Sequence, residues 1–197
     1  LASAEPKTAP PAQTRLRADA RRNRDRLIEV AAAAFAEKGV ETSLEDIARQ
    51  AGVGIGTLYR HFPTREHLVE VVYRRELESL AAAATELAGK HSPDMALEEW
   101  MRRFVGYIAT KRGMANSLRI LMTSNSALFS EGSGLIRGAL ESLLKTAGEQ
   151  GYIRRDIETT DLMHALSSIY SIPESPEWRE RSHRLIGLLM DGLRTRR

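Results

Sequence analysis

This sequence predicts an all-α protein with a small helical head in front of a larger helical body. Apolar residues recur at three- and four-residue steps along most of the chain, and alternating strand-like runs are nearly absent. Near the N-terminal end, two helices of about two turns flank a glycine-containing turn, and neither is long enough to make a core alone. The 197 residues suit one ordinary domain or a small module fused to a larger one, and 42% hydrophobic content suffices for a core without staples. The absence of cysteine excludes disulfides, thiolate metal sites and cysteine nucleophiles. The longest apolar stretches fall short of a spanning helix, so no membrane partner is expected. No basic segment followed by an apolar one opens the chain, so secretion is not expected either.

Residues 1 to about 14 hold three of the seven prolines and are expected to be mobile. Residues 1–20 read as a flexible basic arm. Arg15, Arg17, Arg21, Arg22, Arg24 and Arg26 face only Asp19 and Asp25, a local charge of +4 in a chain whose total is +3. Such a run suits either a polyanion or a solvated tail. From about Arg21 the spacing of Leu27, Ala31, Ala34, Phe35 and Lys38 predicts a helix, with Gly39 as its C-cap. Thr42 or Ser43 then caps a second helix, Glu45 and Asp46 complement its dipole, and the pattern ends near Gln50. A third helix runs from Ile55 to about His61, before Pro63.

Thr64 caps a fourth helix, expected to run to about Ala88 over roughly 25 residues, or about 37 Å. Ser92 and Pro93 start a fifth helix that reaches about Thr110. Met114 to Met122 is a shorter helix, and Asn125 to Ser130 reads as a turn or irregular piece. Ile136, Leu140, Leu143, Leu144 and Ala147 mark the next helix, closed near Gly148 to Gly151. Two more follow, about Thr160 to Tyr170 and about Glu177 to Leu193, for about nine in all.

A short helix behind a sharp turn has the shape of a major-groove reader. Gly54, Ile55, Gly56 and Thr57 open it with small residues. Thr57 suits a base edge or phosphate, and Ile55 suits a thymine methyl. Tyr59, Arg60 and His61 reach towards flanking phosphates, and Thr64 with Arg65 suits a further one. A flexible Gly-Val-Gly linker is the plainer alternative. Leu58 and Phe62 belong to the core.

The run SLEDIARQAGVGIGTLYRHFPTREHLVEVVY, from Ser43 to Tyr73, resembles the DNA-binding region of the TetR family of bacterial transcriptional regulators. RLIEVAAAAFAEKGVETS, from Arg26 to Ser43, resembles the family's first helix. The match covers roughly residues 22 to 73. It implies a homodimer of all-helical subunits whose two heads bind successive major grooves of a palindromic operator in double-stranded DNA. It adds Thr42, Ser43, Gly54 and Gly56 to Ile55, Thr57, Tyr59, Arg60, His61 and Arg65 as DNA-contacting positions. Residues 21–73 then form the DNA-binding domain and 74–197 the effector-binding and dimerisation domain of a bacterial, cytoplasmic regulator. Most members are repressors, and the resemblance implies an effector that moves the helix at 64–88.

Past residue 74 no sharp motif appears, but all six methionines and both tryptophans lie there. The family keeps its small-molecule pocket in this region. The candidates are Trp100, Phe104, Tyr107, Met114, Leu118, Met122, Phe129 and Leu144, with polar orientation from Asn116, Ser117, Asn125 or His164. Plain core packing is the alternative for each. A mostly apolar or aromatic effector is expected. By the same resemblance, Leu162, Leu166 and Ile169 on one helix and Trp178, Leu185, Leu189 and Leu193 on the last are interface candidates. The alternative is that one face packs inward. Catalysis is not expected: the five histidines are scattered, and the chain lacks His-Glu-x-x-His, a phosphate loop and a nucleophile elbow. No cofactor or metal is expected.

Overall fold

The computed structural model describes residues 12–39, 42–173 and 175–195, with side chains from residue 17 onward. Nine α-helices occur among the described residues. They are α1 (Ala12–Lys38), α2 (Leu44–Gln50), α3 (Ile55–His61), α4 (Arg65–Ala88) and α5 (Pro93–Gly113), then α6 (Ala115–Ser124), α7 (Ser126–Glu149), α8 (Thr159–Ser167) and α9 (Trp178–Leu193). A 3-10 turn over Ser168–Ser171 continues α8. No helix among them is long and apolar enough to cross a membrane.

Helix α1 begins at Ala12, well before the expected start near Arg21, so residues 12–20 are helix rather than flexible arm. From Ala12 to Lys38 the sequence has no glycine or proline and is rich in alanine and arginine, both strong helix formers. Arg22 pairs with Asp19 one turn back. Residues 1–11, most of the expected mobile segment, lie outside the described residues. Downstream, Leu27, Ile28, Ala31, Ala34 and Phe35 are buried against α2, α3 and α4. Gly39 ends the helix at φ +66, a conformation that disfavours residues with a Cβ.

Ser43, not Thr42, caps α2: its side chain accepts the Asp46 N–H at 3.0 Å. Gly52, at φ +71, makes the turn into α3. Leu58 and Phe62 are both buried, which seats α3 on the head's core. Thr64 caps α4 by accepting the His67 N–H at 3.1 Å.

Helix α4 packs on α1, α5, α6 and α7, so it joins head to body along its 24 residues. Helix α5 is the spine of the body, touching α1, α4, α7 and α9. Its Trp100 is fully buried and donates its indole N–H to the Leu80 carbonyl at 2.8 Å. Ser92 stands at the N-cap of α5 and Pro93 opens the helix as expected, but the Ser92 side chain accepts no helix N–H. The Ser92 hydroxyl donates instead to the Asp94 carboxylate at 2.8 Å. Asn125 is the N-cap of α7, accepting the Leu128 N–H at 3.3 Å. The stretch 125–130, expected to be irregular, is therefore that helix's first turn. Helix α9 lays Trp178, Ser182, Ile186, Met190 and Leu193 inward. Past its end, Arg194 reaches Asp94 at 3.1 Å and Glu98 at 2.8 Å, pinning the last helix to the start of α5.

Candidate nucleic-acid interface and body cavity

The turn and α3 gather Gly54, Ile55, Gly56, Thr57, Tyr59, Arg60 and His61 within two helical turns. Leu58 and Phe62 anchor the inner side. Gly54, Gly56, Tyr59 and Arg60 are exposed, Tyr59 to 45%. Ile55, Thr57 and His61 are half-buried at the edges. The Arg60 guanidinium donates to the Thr57 hydroxyl at 2.9 Å and the Gly56 carbonyl at 3.3 Å, which lays it along the helix.

The glycines of this helix are informative for what they do not touch. A Cβ on Gly54 or on Gly56 would meet no atom of this chain within 4 Å, and neither residue has positive φ. Gly56 stands inside a helix, where glycine costs about 0.5–1 kcal/mol relative to alanine. The fold gains nothing from it. Nothing within the described residues requires the absence of a side chain at this position.

Four DNA-contact candidates around α3 also have structural tasks, of which the sequence predicts the caps at Ser43 and Thr64 but not the roles of Thr42 and Arg65. Thr42 is 2% exposed, and its hydroxyl is placed against the Ala34 carbonyl at 3.0 Å and the Gly39 carbonyl at 2.9 Å. Its side chain holds the α1–α2 corner from within, which corrects its reading as a DNA contact. Ser43 and Thr64 spend their hydroxyl oxygens on helix caps. Arg65 donates to the Thr42 carbonyl at 2.6 Å and lies over the Phe35 ring, 5.3 Å from its centroid. Arg24, from the basic run, lies 5.6 Å over Phe62. These two guanidiniums pack the head as well as charge it.

In the body, a cavity of about 410 Å³ opens between α5, α7 and α8, within the size range of small-molecule sites. From α5 it takes Phe104, Tyr107, Ile108 and Lys111. Ser133, Ile136 and Arg137 of α7 form the facing wall, and Met163, Ser167 and Tyr170 close it. Phe104 and Tyr107 are thus the two expected residues that reach it. Trp100 is sealed in the core behind Phe104, their rings stacked at 6.1 Å. Phe129 packs on Tyr73 at 5.3 Å, and Tyr73 in turn meets the Tyr107 hydroxyl at 3.4 Å. Burial raises the pKa of both tyrosines, most strongly that of Tyr107, so both stay protonated.

The other pocket candidates lie elsewhere. Leu118 is core, and Met114 lines a smaller recess of about 220 Å³ with Asn116 and Ser117. Leu144 lines a separate groove with Arg154 and Arg155. His164 is exposed, and Met122 is 56% exposed. Lys111, Arg137 and Tyr170 were missed. A signal existed: Phe104, Tyr107, Ile108 and Lys111 stand at i, i+3, i+4 and i+7 on one helix face, with a lysine ending an apolar stripe.

The interface candidates also need correction. Leu162, Leu166, Ile169, Trp178 and Leu193 are buried within a single chain, where they complete its own core. Leu185 and Leu189 remain half-buried on α9, and Leu188 between them is 68% exposed.

A two-turn helix presented on a three-helix head, ahead of a helical body holding a ligand-sized cavity, is the architecture of helix-turn-helix transcriptional regulators. Residues 27–72 match the family "Bacterial regulatory proteins, tetR family", and residues 92–195 match "Transcriptional regulator SbtR-like, C-terminal domain". The chain belongs to the TetR family of bacterial transcriptional regulators. Among solved structures it is similar to the TetR transcriptional regulator SCO0520 of Streptomyces coelicolor. They share 41% identity at a TM-score of 0.80, over 88% of this chain and 99% of the other. A TetR regulatory protein of Mycobacterium vanbaalenii is 32% identical with a TM-score of 0.72, over 91% and 99% of the two chains. The HTH-type transcriptional regulator SAUSA300_2515 of Staphylococcus aureus is 45% identical over 64 residues, 32% of this chain and 35% of that protein. The likeness to this curated relative therefore spans about a third of its length.

Proposed function

We propose that this protein is a sequence-specific DNA-binding transcriptional regulator. It acts as a homodimer on a palindromic operator and is released from DNA by a small molecule held in the body cavity. The observation that carries the reading is the pair Gly54 and Gly56, exposed at the start of α3 with open space where a Cβ would stand. A helix that enters the major groove N-terminus first lies deeper where the residues at that end are small. Thr57, Tyr59 and Arg60 stand beside them with hydrogen-bonding groups for bases and phosphates. Residues up to Tyr73 make up the head and those from 74 onward the body.

Dimerisation is supported by the outer face of α9, where Leu188 lies exposed between Leu185 and Leu189. Coupling is supported by three successive residues at the end of α5. Lys111 lines the cavity, and Arg112 donates to the carbonyls of Ile169, Tyr170 and Ile172 at 3.1, 2.5 and 2.5 Å. Gly113 lies against the backbone of α1. A ligand that favours one placement of this segment would bias how the head sits on the body. It shifts the population only as far as its affinities for the two states differ. Repression in the ligand-free state is the family's most frequent mode and completes the reading, with the protein in the bacterial cytoplasm where its operator lies.

The test is a gel-shift assay on DNA adjacent to the protein's own gene, with random DNA as competitor. A retarded band of dimer stoichiometry that resists the competitor is expected. Binding no tighter than to random DNA contradicts the proposal.

A further inference from the structure

The cavity beside α5 departs from an ordinary apolar pocket in its charge. Lys111 comes from the middle of the body and is half-buried. Its ammonium stands 5.9 Å from the Tyr107 ring centroid and 5.6 Å from that of Tyr170, so the two rings cradle it. It makes no ion pair among the described residues, whereas neighbouring Arg102, Arg103 and Arg75 all have carboxylate partners. Burial holds its pKa below the usual lysine value. Arg137 stands exposed on the facing wall of α7, and the lining contains no aspartate or glutamate.

Desolvating an ammonium without a counter-charge costs free energy, and tyrosine faces offset only part of it. The fold does not require the charge, since a methionine of similar length would satisfy the rings alone. An incoming carboxylate would supply the missing partner, and Ser133 and Ser167 supply hydroxyls in the same lining. Beyond the cations the walls are Phe104, Ile108, Ile136 and Met163. We infer that the cavity binds an amphiphilic monocarboxylate, its carboxylate at Lys111 with Arg137 at the mouth and its apolar body along these four side chains. This names the effector class for the cavity of the regulator proposed above and rests on that reading for its effect on DNA. The binding itself stands on the cavity's own geometry.

The test is calorimetric titration of the full chain at pH 7 with matched probes: octanoate against 1-octanol, and 3-phenylpropionate against 3-phenylpropanol. At least one carboxylate is expected to bind about tenfold or more tighter than its alcohol. Lys111→Met narrows that preference to about twofold while leaving the alcohol's affinity in place, and Arg137→Gln reduces it less. Ser167→Trp, on the exposed lip of the cavity, weakens both probes and locates them there without altering the core. The proposal is overturned if no carboxylate binds, if each alcohol matches its acid, if Lys111→Met keeps the preference, or if Ser167→Trp changes nothing. The same preparation is assayed on operator DNA. Failed DNA binding with an intact carboxylate preference contradicts the regulator reading alone, and the reverse result contradicts this inference alone.

Discussion

A Cβ on Gly113 would stand 1.9 Å from the carbonyl oxygen of Phe35, so backbone lies on backbone where the end of α5 meets the last turns of α1. Arg179 of α9 ties a further body helix to the same end of α1, donating to the Ala36 carbonyl at 3.2 Å. Gly113→Ala cannot be absorbed by a flexible side chain, because the opposing atoms are main chain. Overpacking of this kind costs about 1–3 kcal/mol. Thermal unfolding followed by circular dichroism should show a clear fall in Tm, and an unchanged Tm would mean that the two helices do not meet so closely.

Thr57 and Tyr59 stand on α3 away from its buried side, with Tyr59 exposed to solvent. The double variant Thr57→Ala, Tyr59→Phe should therefore keep its Tm and its dimeric state. Operator affinity should fall by about tenfold or more, since one good base contact is worth about 1–3 kcal/mol. Fluorescence anisotropy on operator DNA measures it, and unchanged affinity would remove α3 from the interface.

Arg65 has a mixed role, and the variants separate its parts. Arg65→Ala loses both the Thr42 carbonyl bond and the packing on Phe35, so the head should melt earlier and bind DNA more weakly. Arg65→Lys keeps the charge but lacks the planar guanidinium, so it should restore DNA affinity more fully than stability. Equal recovery of both would show that charge alone is what matters at this position.

Caps, spacing and glycines made the head legible from sequence, because short-range rules determine each of its elements. Ser43, Gly52 and Thr64 all sit where local chemistry puts them. The body was less legible. Whether Trp100 faces a cavity or the core depends on which helix lies opposite, and periodicity gives a residue's face without its partner. Leu162, Leu166 and Ile169 are interface candidates by family resemblance, and here the stated alternative holds, since α7 and α5 cover that side. Thr42 and Ser43, adjacent and chemically alike, divide corner and cap between them, a difference fixed only by the tertiary bond to Ala34.

Asp94 and Glu98 both face Arg194. Burial pushes their pKa values up, but the Ser92 hydroxyl and Arg194 for Asp94, and Arg102 with Arg194 for Glu98, outweigh it and hold both below their usual values. Each carboxylate thus binds protons less readily folded than unfolded. Their contribution is fully present above the ordinary values of 3.8 and 4.5 and is lost as pH falls through the lowered folded values. Arg194→Met should lower Tm at pH 7 by a few degrees, consistent with about 1 kcal/mol for part-exposed pairs. Melting curves from pH 7 to pH 3 should show the gap to wild type closing in acid, and a constant gap would assign the effect to packing.

Gly56→Ala separates an α3 shaped for an outside partner from one shaped for its own fold. A methyl there meets nothing in the chain and replaces glycine in a helix, so stability should rise by about 0.5–1 kcal/mol. Operator affinity, measured by anisotropy on the same preparation, should fall by about tenfold or more as the methyl holds α3 off the groove floor. A variant that is more stable and binds its operator as tightly as wild type would mean that α3 does not enter the groove by this end.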